Sequence, residues 1–294
     1  MLIVTGASGH LGHAIVERLL DRIPSSEIGV SVRDAAKAAN LAARGVRVRQ
    51  ADFDDPHSLQ HAFEGASQVL LVSSNARATG GDTLAQHRSA IDTARAVGAQ
   101  RIVYTSHMAV SESSAFPPMR DHFSTERLLA ESGVAWTALR NGFYAASGIA
   151  MMGDAFDTGV LVAPADGPVS WTAHADLAEA AAMILHNPGT YDGPTPPLTG
   201  AESLDFASLA ALTSEVRDTP VRREIITDDV LRARIAARGA PERTADTVLG
   251  FFIASRNREF AAVDPTLEQL LGRRPIAMRE LLAERVSQHA TARA

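Results

Sequence analysis

The chain has 294 residues, enough for one large α/β domain or for a domain with a smaller lobe, and either can bury a full core. A formal net charge of -6 gives no broad basic face, which argues against nucleic acid as a partner. With no cysteine, the chain excludes disulfides, thiolate nucleophiles, iron–sulfur clusters and Cys-ligated zinc, and its single lysine, Lys37, excludes any mechanism that needs a lysine elsewhere.

The first residues, M-L-I-V-T-G, run straight into a strand without a basic leader, and no apolar stretch approaches ~18 residues. A soluble, untargeted, cytoplasmic chain with no membrane partner is expected. Strands are predicted at 2–5, 28–32, 46–50, 69–73, 102–106 and 135–140, with amphipathic or Ala-rich helices between them. Strand–helix alternation of this kind implies right-handed crossovers and a parallel sheet. After Asn141 the pattern loosens into Gly- and Pro-rich turns, with later helices at 206–217 and 228–238. The expected architecture is an α/β, Rossmann-like doubly wound parallel sheet over residues 1–150 with a smaller C-terminal α/β substrate lobe over 151–294. The helical periodicity of A-D-L-A-E-A-A-A-M-I-L, opening at Asp176, predicts that a segment of about 171–188 returns to pack on the sheet.

Residues 5–12, T-G-A-S-G-H-L-G, follow the first strand and lead into a helix predicted at 11–21. Gly6 permits the tight turn, Gly9 lets the backbone approach a pyrophosphate, and Gly12 allows close helix–strand packing. The helix N-terminus then offers unpaired N–H groups and the positive end of its dipole. Gly6, Ser8, Gly9, His10, Leu11 and Gly12 are therefore the candidate phosphate cradle.

The second strand ends S-V-R-D, without an acid at the position that would bind the adenosine 2′-hydroxyl. Arg33 there can grip a 2′-phosphate, with Lys37 one helical turn on, so NADP(H) is the expected cofactor. The lesser alternative is that Arg33 and Lys37 are solvated surface residues, and the Asp34 carboxylate could pair with Arg33. By position, Asp52 and Phe53 would lie near adenine, and Ser73 and Ser74 near the ribose. Thr105 and Ser106 end the fifth strand beside the expected nicotinamide. In R-N-G-F-Y, Asn141 and Tyr144 would meet the nicotinamide amide and the substrate. Phe116, Met108, Met119 and Phe143 are apolar enough to line a pocket for a planar substrate, though core packing explains each equally well.

The glycine spacing with T-G-A at its start, A-D-F-D, Y-T-S, H-F-S-T-E and L-R-N-G-F-Y together resemble the atypical short-chain dehydrogenase/reductases. More narrowly, the chain resembles the branch holding NmrA-type regulators, NADPH-dependent quinone reductases and triphenylmethane-dye reductases, over nearly its whole length. In the wider superfamily a Tyr-x-x-x-Lys pair supplies the proton and orients the nicotinamide ribose. His122 and Glu126 stand where that pair would be. None of Tyr104, Tyr144 and Tyr191 is followed four residues later by Lys37, so no such pair exists in this chain.

That departure bears on chemistry. Hydride reduction of a simple ketone creates an alkoxide, whose conjugate acid has a pKa near that of water, about 15.7. A quinone instead becomes a phenolate-like anion of parent pKa near ~10, and a triarylmethane cation becomes neutral. The expected function is thus NADPH-dependent reduction of a small, planar, electron-poor conjugated acceptor such as a quinone. His122, Asn141 and Tyr144 are the candidate catalytic residues, and no metal is expected, because no H-E-x-x-H run accompanies H-F-S-T-E. His122 and Glu126, four apart on one helix face, stay open between proton donation or substrate orientation and plain pocket-wall roles. The resemblance to NmrA-type regulators implies an alternative, a non-catalytic NADP(H) sensor that binds a protein partner.

Overall fold

The computed structural model describes residues 1–293 and divides them between two compact units. Met1–Glu112, Asp121–Asn141 and Leu177–Pro196 form the first. Its sheet contains β1 (Leu2–Thr5), β2 (Ile28–Val32), β3 (Arg47–Gln50), β4 (Gln68–Leu71), β5 (Arg101–His107) and β6 (Ala135–Asn141). Later strands are β7 (Phe143–Tyr144), β8 (Val160–Pro164), β9 (Trp171–Thr172), β10 (Gly193–Pro194) and β11 (Arg222–Ile226). The seven-stranded sheet has the order β10-β6-β5-β4-β1-β2-β3, and every pair is parallel. This is the doubly wound sheet that the alternating pattern implies, with the order reversing between β1 and β4.

The central strands are buried on both faces, as a sheet covered by helices requires: all four residues of β1 and all five of β2 are buried. On one face Ile3, Leu59, Phe63, Val69, Leu71, Ile91, Ile102 and Tyr104 form a continuous core. Helix His174–His186 carries the predicted Ala-rich periodicity; Leu177, Ala178, Ala181 and Leu185 are buried, and Glu179 bonds Arg18 of helix His10–Leu20 and Arg22 just beyond it.

Two elements differ from expectation. The fourth strand ends at Leu71 rather than 73, because the next three backbone N–H groups turn to side chains instead of a neighbouring strand. β10 falls in G-P, which reads as a turn; a two-residue edge strand tolerates proline because nothing needs its missing N–H.

The second unit comprises Ser113–Arg120, Gly142–Asp176 and Pro197–Ala294. It holds the parallel pairs β8–β11 and β7–β9, and helices that include Phe206–Arg217, Glu242–Arg256 and Met278–Arg293. Its core is aromatic: Phe116, Phe143, Trp171, Phe206, Phe251 and Phe260 make contacts with ring centroids 5.0–6.4 Å apart. Phe116 and Phe143 thus pack within that core, and Met119 is buried as well. No described helix is long and apolar enough to cross a membrane.

Candidate active site

The C-terminal ends of the first unit's strands carry most of the candidate residues, at the edge where open α/β sheets bind ligands. Gly6 follows β1 with φ +62°, which glycine adopts without strain. Its N–H donates to the Ser31 carbonyl at 3.0 Å, and Gly9 N–H closes the turn on the Gly6 carbonyl at 2.9 Å. Helix His10–Leu20 starts on Gly9, which has no side chain to cap it, and its first internal bond is His13 N–H to Gly9 O, 2.9 Å. The donors of its first turn, Leu11 and Gly12 among them, therefore face outward at the positive end of the helix. A Cβ at Gly12 would lie 2.5 Å from the Gly6 carbonyl oxygen, whereas one at Gly9 would meet that oxygen at 3.3 Å. Gly12 is required by the packing, while Gly9 leaves its outer face bare. Ser8, Gly9 and His10 are exposed, and Leu11 turns its side chain into the core.

At the tip of β2, Arg33 and Lys37 are exposed, and no described residue pairs with either side-chain charge. Asp34 does not pair with Arg33; its Oδ1 accepts the Ala36 N–H at 3.0 Å and starts the short helix that carries Lys37. Past β3, Asp52 Oδ1 accepts the Asp54 N–H at 3.1 Å, shaping a turn that leaves Phe53 half-buried against the core.

Past β4 the backbone is clasped from three sides. Thr5 Oγ1 accepts Val72 N–H (2.9 Å), Thr105 Oγ1 accepts Ser73 N–H (2.8 Å), and His87 Nε2 accepts Ser74 N–H (2.8 Å). The Thr105 hydroxyl, expected near the nicotinamide, is 1% exposed and serves this clasp. Ser74 Oγ donates to Gln86 Oε1 and accepts the Ala76 N–H at 3.0 Å, so internal bonds occupy the hydroxyl expected at the ribose. His87 lies on the buried stripe Thr83–His87–Ala90–Ile91–Ala94 of helix Thr83–Ala96, and burial lowers its pKa to about 3.

On β5, Tyr104 and Ser106 share a face and meet His122 and Glu126 of helix Pro117–Glu131. Ser106 Oγ donates to Glu126 Oε1 at 2.6 Å, and Arg140 on β6 grips both carboxylate oxygens, Nε to Oε1 at 3.2 Å and Nη2 to Oε2 at 2.8 Å. Glu126 is 8% exposed and accepts three bonds. It is a buried carboxylate whose oxygens are engaged by Ser106 and Arg140.

His122 is different. Its Nδ1 is 2.7 Å from the hydroxyl of Tyr104, a phenol with no accessible surface, and its ring stacks against His107 with centroids 6.1 Å apart. Burial lowers its pKa to about 4, with Asp121 opposing the shift, so the imidazole is neutral at pH 7. The Asp121 carboxylate itself takes a two-pronged bond from Arg77 at 2.5 and 2.6 Å.

Asn141 ends β6 at 2% exposed; its carbonyl accepts the Met108 N–H at 2.8 Å, and its side-chain Oδ1 is buried with no hydrogen-bond partner among the described residues. An orphaned buried acceptor costs about 1–3 kcal/mol, which a ligand donor would recover. This acceptor and the uncapped glycine loop both suit a dinucleotide with a carboxamide. Tyr144 belongs to the second unit, where its ring lies 4.4 Å from that of His174. No cluster of three or more potential metal ligands occurs among the described residues.

The residues that sequence reasoning missed are Tyr104, His87, Arg140 and Thr5. His87 alone left a local signal, a histidine on the apolar stripe of its helix.

Comparison with known proteins bears on this arrangement. A family model described as NAD(P)H-binding matches residues 6–188. Quinone oxidoreductase 2 of Escherichia coli (strain K12) is 33% identical over 273 residues, covering 92% of this chain and 94% of that protein. The crystal structure of NADPH-dependent quinone oxidoreductase from Escherichia coli complexed with NADPH superposes with a TM-score of 0.88 at 32% identity, over 98% of this chain and 99% of that one. The triphenylmethane reductase of Citrobacter sp., solved with NADP(H), gives a TM-score of 0.84 at 28% identity, over 97% of this chain and all (100%) of the other.

Proposed function

Since the chain belongs to the NAD(P)H-binding family, as an oxidoreductase related to quinone reductases, triphenylmethane reductases and NmrA-like proteins, we propose that it is an NADPH-dependent reductase of electron-poor conjugated acceptors, quinones first among them, working without a positioned strong acid. The observation that carries this reading is the state of the two groups standing in the Tyr-x-x-x-Lys positions. His122 is a neutral imidazole, lowered to about 4 by burial, and Glu126 is locked between Ser106 and Arg140. The neutral His122 offers no acidic proton at neutral pH.

The glycine loop and the N-terminus of helix His10–Leu20 would hold the pyrophosphate, Arg33 and Lys37 the 2′-phosphate, and Asn141 Oδ1 the amide of the nicotinamide. When bound, the cofactor supplies a hydride. The chain's own contribution is to hold the acceptor in register and to exclude alternatives, and orientation of this kind can supply several kcal/mol of the barrier. An acceptor whose reduced form is a phenolate-like anion of parent pKa near ~10 asks far less of the protein than an alkoxide near about 15.7. A positioned general acid contributes roughly 10²–10⁴-fold, so its absence separates the two substrate classes.

The experiment is kcat with a quinone for His122→Ala. A loss below about tenfold is expected, since no proton transfer is removed. Abolished turnover with NADPH binding intact would make His122 an acid or an essential orienting group and overturn this reading.

A further inference from the structure

We propose that Tyr104 is a positioning residue that sets the tautomer of His122, so that the imidazole presents a permanent neutral Nε2–H to the acceptor oxygen that gains negative charge. The proposal rests on the reductase reading above and names the residue behind its candidate contact.

The direction of each proton in this cluster follows from its neighbours. His87 Nε2 accepts a backbone N–H from Ser74, so its proton sits on Nδ1 and is donated to Thr125 Oγ1 at 2.8 Å. Thr125 in turn donates to the Asp121 carbonyl at 2.8 Å. Both His87 nitrogens are thereby used, although its ring lies edge-on to Tyr104 with centroids 5.2 Å apart. Tyr104 is buried in an apolar core with Leu71, Ile102 and Leu129, where a phenol needs a partner, and its hydroxyl is 2.7 Å from His122 Nδ1. A phenol O–H is a far stronger hydrogen-bond donor than a neutral imidazole N–H, so Tyr104 donates and Nδ1 accepts. The His122 proton is then on Nε2, for which no partner occurs among the described residues.

The groups facing His122 keep it neutral. From β5 come Tyr104 and His107, from helix Thr83–Ala96 comes His87, and on its own helix the Asp121 carboxylate is held by Arg77. Protonating the ring would put a cation beside two buried imidazoles. His122 therefore acts as a fixed dipole and not as an acid. A quinone that gains a hydride with its electron pair becomes a hydroquinone monoanion. Nε2–H hydrogen-bonds the charged oxygen and keeps its proton, and a proton from water completes the hydroquinone.

Imidazole ¹⁵N NMR of the full chain, with His122 assigned by its loss in His122→Ala, reads the tautomer without cofactor. The wild type should show His122 as a single Nε2–H tautomer titrating below pH 5, and Tyr104→Phe should show a mixture of tautomers that still titrates well below 6.5, because the burial that lowers the pKa remains. Tyr104→Phe should lower kcat about three- to tenfold with a quinone, leave turnover of a cationic triarylmethane dye unchanged, and cost nothing further in a His122→Ala background. An Nδ1–H tautomer in the wild type overturns the proposal, as does equal loss with quinone and dye or an additive loss in the double variant. If the tautomer is as stated but the wild type reduces no acceptor, the reductase reading fails and the acceptor-facing role of Nε2–H fails with it, leaving only the Tyr104–His122 geometry.

Discussion

The contrast between Gly9 and Gly12 separates folding from cofactor binding within one turn of helix. At Gly12 an added Cβ would sit 2.5 Å from the Gly6 carbonyl oxygen and 3.1 Å from the Ala7 Cα, both backbone atoms that no rotamer change can move. Against that overlap stands the helix propensity gained on replacing glycine by alanine, up to about 1 kcal/mol. Overpacking of a rigid site costs about 1–3 kcal/mol and occasionally more. Gly12→Ala should thus be net destabilising, lowering the melting temperature by roughly 2–6 °C for a chain of this size. At Gly9 the tightest contact would be 3.3 Å, which a shift of a few tenths of an ångström relieves, and the backbone there, φ -89° and ψ 165°, suits any residue. Gly9→Val should melt within about 2 °C of the wild type yet lose NADPH binding, because its side chain fills the face offered to the pyrophosphate. Calorimetric melting and NADPH titration on both variants read the two effects. Undiminished NADPH affinity in Gly9→Val would refute the placement of the pyrophosphate, and a Gly12→Ala variant as stable as wild type would refute the packing argument.

NADPH should bind at least tenfold tighter than NADH, and Arg33→Ala should erase most of that gap, since Asp34 does not neutralise the guanidinium; equal affinities by titration calorimetry would contradict the assignment. Arg140→Met leaves the Glu126 carboxylate buried with its cation gone and should cost about 3–5 kcal/mol in urea unfolding. Glu126→Gln should cost less, because the Arg140 side chain is 31% exposed and can reach water; equal losses would count against this. Stability should fall as pH drops from 6.5 towards 4. Burial holds the pKa of His122 at about 4, of His87 at about 3 and of His107 well below its usual value, so in that window the unfolded chain binds protons that the folded chain refuses. Each such histidine contributes up to about 1.4 kcal/mol per pH unit, and urea midpoints measured across pH in wild type and His87→Gln should show the variant with the shallower slope.

The parts that sequence made legible are those written in local pattern. The strands of the parallel sheet and the loop from Gly6 to Gly12 are short-range signals, and the i, i+4 relation of His122 and Glu126 placed both on one helix face. Their partners were not legible. Tyr104 lies 18 residues from His122, and Arg140 lies 14 from Glu126 on another strand. Which faces meet, and how deeply, is decided by tertiary packing. The hydroxyls went astray for the same reason: Thr105 and Ser106 stand at the expected strand end, but the chain uses one to hold the Ser73 amide and the other to hold Glu126. A strand-end hydroxyl reads as a ligand contact until the backbone donors that need it come into view.

Steady-state oxidation of NADPH by the wild-type protein, with a quinone and with an unactivated ketone offered in parallel, tests the central claim most directly. Sustained oxidation matched mole for mole by hydroquinone formation, with no turnover of the ketone, is the predicted result. Brisk ketone reduction would demand an acid that the neutral His122 does not supply. Tight NADPH binding with no oxidation by any quinone, dye or imine would contradict the account and leave a cofactor-sensing role in its place.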